Sequence, residues 1–248
     1  MQSQPWFEND AFWIATYAFM FPESSFATAA SDIPKLLALS GCGEGAALDM
    51  CCGPGRHAVP LAKRGFKVTG VDRTSFLLNK AKAYADREQV RVDFIEDDMR
   101  NFVKPDTFDV ALSMFTSFGF FADRDDNQIV LRKLHNTLRH GGALVMDTMG
   151  KERLARIFQP ASSHSLPNGD VLFERRSITE DWEKVENDWY IVSDGEVKTF
   201  HLGLWVFSGR ELKILLHEAG FSEVKIYGDL DGSVYGPEAQ RLVAVARK

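Results

Sequence analysis

Cysteine is scarce in this chain, and two of its three cysteines are adjacent. Cys51 and Cys52 lie in an apolar segment, and no C-x-x-C spacing occurs that would suggest a zinc site. An odd number of cysteines placed in this way excludes the disulfide framework that is typical of small secreted domains. We therefore expect the cysteines to be buried, reduced thiols.

Long apolar runs and basic clusters are also absent. The apolar stretch from Ala11 to Phe21 is too short to span a bilayer, and the opening residues 1–5 lack the basic region of a secretory signal. A formal net charge of −6 argues against a partner that is bound chiefly through phosphates. We expect a cytoplasmic protein, monomeric or homodimeric, that binds neither a membrane nor nucleic acid.

The order of segments indicates the fold class. Residues 46–150 alternate predicted strands with predicted helices, which favours a parallel sheet with helices on both faces. Residues 10–40 are predicted to be helical, with interruptions near Pro22 and before Pro34. Beyond residue 161, alternating apolar segments and the hairpin signal Asp194-Gly195 predict three antiparallel strands. These patterns divide the chain into an N-terminal helical cover, an α/β domain and a small antiparallel β insert, over residues 1–45, 46–160 with 207–248, and 161–206 respectively.

The segment from Ala47 to Asp72 carries the strongest functional signal. An apolar strand meets a turn that contains Gly53 and Gly55, and the next strand ends at Asp72. Glycine lets the backbone approach a ligand that a Cβ atom would block, and a carboxylate at a strand end can accept the hydroxyl protons of a ribose. Asp49 lies in the first strand, where a buried carboxylate needs a partner such as an ammonium group. The pattern predicts a nucleoside cofactor at the edge of the sheet.

Four motifs resemble those of the class I S-adenosylmethionine (SAM) dependent methyltransferases. Leu48-Asp49-x-x-Cys52-Gly53-x-Gly55 is similar to the first motif, and residues 94–100 are similar to the third. Residues 108–115 and 138–146 resemble the fourth and fifth strands, and residues 216–248 resemble the closing helix and strand pair. The resemblance implies a Rossmann-like, mostly parallel seven-stranded sheet whose last strand is antiparallel. It also implies an enzyme that transfers a methyl group from SAM to oxygen or nitrogen of a small-molecule acceptor.

The same resemblance implies which residues contact the cofactor. In the third motif, Asp98 and the backbone amide of Met99 would read the adenine edge, and the end of the fourth strand would lie under the methionine part. The expected cofactor-binding set is Asp49, Gly53, Gly55, His57, Asp72, Arg73, Asp98, Met99, Ser113, Met114 and Tyr17.

The catalytic residue is left open by the sequence. His57 follows the glycine turn, and Tyr17 lies in the N-terminal helices that close over the cofactor in related methyltransferases, so these two are candidates. For His57 a structural role is the preferred interpretation, and for Tyr17 packing in the helix is an alternative of similar weight. No metal is expected, because Ser113 or Met114 stands where the first ligand of a catechol-type site would be. Clustered aromatic residues predict an acceptor pocket lined by Tyr17, Phe115, Phe118 and at least one residue of the insert, for an uncharged or amine-bearing acceptor.

Two other functions fit part of the pattern. Gly53-x-Gly55-x-x-Ala58 also satisfies the dinucleotide fingerprint, so a nicotinamide-dependent oxidoreductase is one alternative. Asp49 and the pair Asp98-Met99 disfavour it. A SAM-binding protein without transfer activity is the other alternative, and a pocket for the acceptor would discriminate against it.

Overall fold

A computed structural model describes residues 5–248 of the chain. Most of the opening stretch that argues against a secretory signal, residues 1–4, lies outside the described residues. Seven α-helices are present in the described part, α1 to α7 in chain order, at Asp10–Met20, Glu23–Ser40, Ala58–Lys63, Ser75–Arg87, Asp125–Thr137, Lys151–Ile157 and Gly209–Glu218. Over residues 5–248, no helix combines the length and the apolar character that are needed to cross a bilayer.

The strands form two sheets. In chain order, β1 to β11 are Ala46–Met50, Lys67–Asp72, Val92–Glu96, Phe108–Ser113, Leu138–Thr148, Ala161–Ser165, Val171–Thr179, Lys184–Ser193, Glu196–Trp205, Glu223–Tyr227 and Leu242–Arg247. The larger sheet has seven strands in the order β10-β11-β5-β4-β1-β2-β3. Its strands pair in parallel from β5 to β3, and β11 is antiparallel to both of its neighbours. The predicted Rossmann-like fold with an antiparallel last strand is confirmed.

Alternating side chains of the seven-stranded sheet enter two separate cores. Leu48 and Met50 of β1 face the core that α5 and α7 cover. Ala47 of the same strand faces the other core, which contains Ile33 and Leu36 of α2. Since successive side chains of a strand point to opposite faces, both faces of the central strands are apolar and covered by helices. This burial leaves the carboxyl ends of the strands as the place where polar groups gather.

The insert is a four-stranded antiparallel sheet in the order β6-β7-β8-β9, one strand more than the sequence predicts. The extra strand, β6, consists of small and polar residues and has no apolar alternation that would reveal it. Asp194 and Gly195 both have positive φ, as a two-residue hairpin turn requires. The division of the chain into three domains remains a prediction.

Pro34 behaves differently from the expectation, and Pro60 lies where a helix tolerates proline. The predicted break before Pro34 is wrong, because α2 continues through this residue to Ser40 while Ile33 and Leu36 stay fully buried against the sheet. Burial of that apolar face outweighs the backbone hydrogen bond that proline cannot donate. Pro60 needs no kink, since α3 begins at Ala58 and the proline therefore lies in its first turn.

Candidate active site

A deep cleft opens at the carboxyl ends of β1, β2 and β4. Its empty space, including the open mouth, is about 960 Å³. The N-terminal segment covers it with aromatic rings, and the motif residues form its floor. The residues that line this cleft include Trp6, Phe7, Trp13, Met20, Phe21, Cys51, Cys52, Gly53, Arg56, His57, Asp72, Arg73, Asp97, Asp98, Met99, Met114, Phe115, Ser117, Phe120 and Phe121.

Asp72 is held rigidly at the end of β2. One carboxylate oxygen accepts the backbone N–H of Gly53 at 2.9 Å, and the other accepts that of Thr74 at 2.9 Å. Burial raises the pKa of Asp72, and these two backbone hydrogen bonds oppose that rise. Each oxygen still has a lone pair for a further donor. The carboxylate can therefore accept two hydroxyl protons from one ligand.

The glycines of the turn have different tasks. Gly53 lines the cleft with a φ of +54°, and a Cβ atom there would lie 3.6 Å from the ring of Phe21. Gly55 has a φ of +81° and does not line the cleft. It faces α4 instead, since a Cβ atom at this position would lie 3.3 Å from the Cβ of Ala81. Gly53 thus leaves space on the ligand side, while Gly55 allows the turn to pack closely on α4.

Asp49 lies beneath this turn and is 1% exposed. Its Oδ2 atom has no hydrogen-bond donor among the described residues. Burial raises the pKa of Asp49 to about 7, although the backbone N–H of Ala58 and the nearby Arg56 oppose the rise. A buried carboxylate with an unsatisfied oxygen is costly in isolation, and a cation or a donor nearby would lower that cost.

Asp98 is the centre of an ion-pair network at the far end of the cleft. Arg73 donates to its Oδ2 at 2.9 Å, and Arg100 donates to both of its oxygens at 2.8 and 3.0 Å. Burial opposes ionisation of Asp98, but the hydrogen bonds from Arg100 outweigh it, so the pKa of Asp98 lies below its ordinary value. Arg73 also pairs with Glu8 at 2.7 Å, and Arg100 pairs with Asp126 at 3.0 Å. The network ties the N-terminal turn to the end of the cleft where Met99 lies.

Arg56 is a site residue that the sequence reasoning missed. Its side chain is 7% exposed, and its Cζ atom lies 5.0 Å from the ring centroid of Phe21 and 4.6 Å from that of Phe115. A basic residue directly after the glycine turn, at the start of a helix, was the signal that could have identified it.

Phe115 and Thr116 both have positive φ, which is unusual for residues with a Cβ atom and for β-branched threonine above all.

A second concavity, which we call the groove, adjoins the cleft. Its lining shares three residues with the cleft, and the complete set is Ser24, Ser25, Thr28, Ala29, Asp32, Arg56, His57, Phe115, Asp147 and Arg241. Arg241 bridges two acids here, with 3.1 Å to Oδ2 of Asp147 and 3.4 Å to Asp32. Asp147 is 6% exposed at the end of β5, and burial raises its pKa. Its Oδ2 atom accepts from Arg241 and, at 3.4 Å, from the backbone N–H of Phe115, whereas Oδ1 has no donor among the described residues.

The predicted catalytic candidates are placed very differently. His57 lines both the cleft and the groove, and its burial, reinforced by Arg56 and Arg241, lowers its pKa to about 3. The imidazole is therefore neutral near pH 7 and a weak base. Tyr17 does not line the cleft, because its ring packs outside it against Phe21, Phe76 and the ammonium of Lys80.

The end of β4 is divided between the cleft and the core. Met114 lines the cleft, whereas Ser113 is fully buried and its hydroxyl has no partner among the described residues. Phe118 was expected to line the acceptor pocket, but it does not line the cleft. It is buried against Phe207, with ring centroids 5.5 Å apart. Phe115 does line it.

The insert supports the site without lining the cleft. In the loop after β4, the carbonyl of Gly119 accepts the backbone N–H of Trp205 at 2.7 Å, and that of Phe121 accepts the indole N–H of Trp205 at 2.8 Å. Phe12 of α1 packs on Trp189 and Phe200 with centroids 5.5 and 5.3 Å apart. The insert therefore positions two elements that cover the cleft. Within residues 5–248, no group of three or more acidic, His or Cys side chains is placed to hold a metal.

Comparisons with known proteins agree with this geometry. A family model described as a methyltransferase domain matches residues 47–142. The glycine/sarcosine N-methyltransferase of Aphanothece halophytica is 24% identical over 204 residues, which cover 81% of this chain and 75% of that protein.

Two solved structures share the fold. A SAM-dependent methyltransferase from Clostridium acetobutylicum matches with a TM-score of 0.77 at 15% identity, over 96% of this chain and 99% of that one. A SAM-bound amino pentose methyltransferase from Micromonospora echinaspora matches with a TM-score of 0.68 at 21% identity, over 95% and 96%. Together these matches identify the protein as a SAM-dependent methyltransferase that uses SAM as its cofactor.

Proposed function

We propose that this protein methylates an amino nitrogen of a small polar molecule that binds where the cleft meets the groove. The observation that carries the proposal is Asp147. Its carboxylate is buried at the carboxyl end of β5, where ligands bind in open α/β sheets, and its Oδ1 atom is free to accept a hydrogen bond because both donors of this carboxylate bind Oδ2. An amino group is a donor that such an oxygen would bind and orient.

The cleft fits SAM, and we propose these residues as its contacts. The doubly braced carboxylate of Asp72 suits the ribose hydroxyls, and Gly53 leaves the space that the cofactor needs. The unsatisfied oxygen of Asp49 below the turn suits the ammonium end, directly or through water. At the other end, Met99 and Asp98 would contact the adenine, although Arg73 and Arg100 already engage the Asp98 carboxylate.

Methyl transfer requires the protein to orient the acceptor nitrogen and to accept the proton that this nitrogen releases. When bound, SAM supplies an electrophilic methyl group, and its transfer forms the N–C bond, breaks the S–C bond and releases S-adenosylhomocysteine and a proton. Asp147 would orient the acceptor nitrogen and take up the proton, since its raised pKa makes it a better base than an ordinary carboxylate. His57 is less suited because its pKa is about 3. The aromatic rings over the cleft exclude water.

The comparisons support the choice of nitrogen. The relative from Aphanothece halophytica is named as an N-methyltransferase of glycine and sarcosine, and one structural neighbour is named as an amino pentose methyltransferase. Use of SAM removes the main reason for the nicotinamide alternative. The absence of nucleic-acid and membrane partners, and a monomeric or homodimeric state, remain predictions.

Transfer of labelled methyl from SAM to matched pairs of small amines and alcohols tests the proposal. We expect turnover of amines, and a loss of about 10- to 1000-fold in kcat/KM for Asp147→Asn. Asp93→Asn, which alters an exposed acid of β3, is the control and should keep the wild-type rate. Turnover confined to alcohols, or to phosphorylated acceptors, would contradict the proposal.

A further inference from the structure

Arg56 has no acceptor for its guanidinium hydrogens among the described residues. The side chain is 7% exposed, and its guanidinium packs against the rings of Phe21 and Phe115. Asp49 and Asp147 attract it electrostatically, yet neither forms a hydrogen bond or an ion pair with it. Because Arg56 lines both the cleft and the groove, its unused N–H donors face open space, where they can bind an anion that the protein itself does not supply.

The geometry of the site selects the kind of anion. Aromatic rings that pack against a guanidinium leave its N–H edge available, and that edge matches the two oxygens of a carboxylate. Arg56 lines both the cleft and the groove, so an anion bound to it would lie at the junction between them. Arg241, the other guanidinium of the groove, already engages Asp147 and Asp32.

We infer that Arg56 binds a carboxylate of the methyl acceptor, and that the acceptor therefore carries an amine and a carboxylate in one small molecule. The inference rests on the proposed function, in which Asp147 receives the amine. Arg56 and Asp147 line the same groove, and Asp72 does not line it, so a zwitterion could be bound there at both ends. The charges of the groove balance, which also suits a zwitterion better than a cation or a polyanion.

The test uses Arg56→Gln and Arg56→Lys, with Arg64→Gln as a control, because Arg64 is exposed at the end of the same helix. Methyl transfer from labelled SAM is measured for amino acids paired with their carboxamides. We expect wild-type enzyme to prefer the carboxylate through a KM lower by about tenfold or more. Arg56→Gln should remove that preference through KM with a kcat changed by no more than a few-fold, and Arg56→Lys should restore part of it.

Binding of S-adenosylhomocysteine and of 5′-methylthioadenosine, which lacks a carboxylate, is measured by calorimetry on the same variants. We expect both dissociation constants to stay near the wild-type values in Arg56→Gln. A weakening of about tenfold for S-adenosylhomocysteine alone would overturn the inference, because Arg56 would then bind the carboxylate of the cofactor. A carboxylate preference that persists in Arg56→Gln would also overturn it.

Failure of the proposed function gives a different result. If hydroxy acids are methylated and amines are not, nitrogen as the target is refuted, and Arg56 is then tested on hydroxy acids paired with their amides. If amines are methylated equally well with and without a carboxylate, the proposed function stands and the inference about Arg56 fails.

Discussion

Replacement of Asp49 by asparagine should stabilise the protein at alkaline pH. Burial raises the pKa of this carboxyl from 3.8 to about 7. The difference is about 3 pH units, and each unit corresponds to about 1.4 kcal/mol, so an ionised Asp49 costs the folded protein up to about 4 kcal/mol above pH 7. Asparagine has nearly the same shape and no charge, and its amide needs partners of its own. We therefore expect a net gain of about 2 kcal/mol in the free energy of unfolding at pH 8.

The sign of the pH dependence follows from proton binding. Between pH 4 and 7 the folded protein keeps the proton on Asp49, while the unfolded chain has lost it. The free energy of unfolding therefore has its full value below the pKa of Asp49 in the unfolded chain, and it falls as the pH rises through the pKa of Asp49 in the folded protein. Urea unfolding at pH 5 and at pH 8 measures this directly. The advantage of Asp49→Asn over wild type should be larger at pH 8 than at pH 5.

The control is Asp93→Asn, at an exposed position, whose curve should run parallel to that of the wild type. SAM should narrow the gap at pH 8, since a ligand that carries an ammonium group favours the ionised carboxylate. If Asp49→Asn and wild type lose stability in parallel from pH 5 to 8, the reasoning from burial is refuted. A gap that SAM leaves unchanged would refute the role of Asp49 near the ammonium end.

Three further changes test separate parts of the site. Asp72→Ala should weaken binding of SAM by about 1–3 kcal/mol in calorimetry, because buried hydroxyls lose their acceptor; an unchanged dissociation constant would remove Asp72 from the site. Gly119→Ala would place a Cβ atom 2.5 Å from the carbonyl oxygen of Trp205, so thermal unfolding should show a loss of about 1–3 kcal/mol in the free energy of unfolding. An unaltered Tm would show that the loop adapts to the added methyl group. Glu8→Gln removes the ion pair with Arg73 and should speed release of S-adenosylhomocysteine in stopped flow by up to about fivefold; equal rates would mean that the N-terminal turn does not limit release.

The parts of the fold that could be predicted from sequence are those with a local signature. The first two strands, the turn at Gly53 and the helix at Ser75–Arg87 each have periodicity, glycine or apolar content of their own. The capping box Ser208-x-x-Glu211 is another local signature, and it starts α7. Strand β6 has no such signature. Its small and polar residues have little preference of their own for a strand, and their extended conformation depends on the pairing with β7.

The residues of the candidate site also fall into those with a local sequence signature and those without one. Asp72 and Gly53 follow from one motif of consecutive elements, and both line the cleft. The groove brings together Asp32, Asp147 and Arg241, which are far apart in sequence and acquire their meaning only when α2, β5 and the segment before β11 meet. No single-sequence pattern marks such a set. Tyr17 does not line the cleft but packs against Phe76, because periodicity shows that an aromatic residue packs but not which neighbour it packs against.

The insert and the N-terminal segment act on the cleft as one structural unit. Trp189 and Phe200 of the insert bury Phe12 completely, which fixes the helix that carries Trp13 to the mouth of the cleft. The other end of the insert, at Trp205, holds the loop after β4 by two backbone carbonyls. Because packed interfaces shift between discrete arrangements and do not deform continuously, a change in the insert must be felt at both walls of the cleft. Residues far from the methyl group can therefore tune which acceptor fits, although the insert itself does not line the cleft.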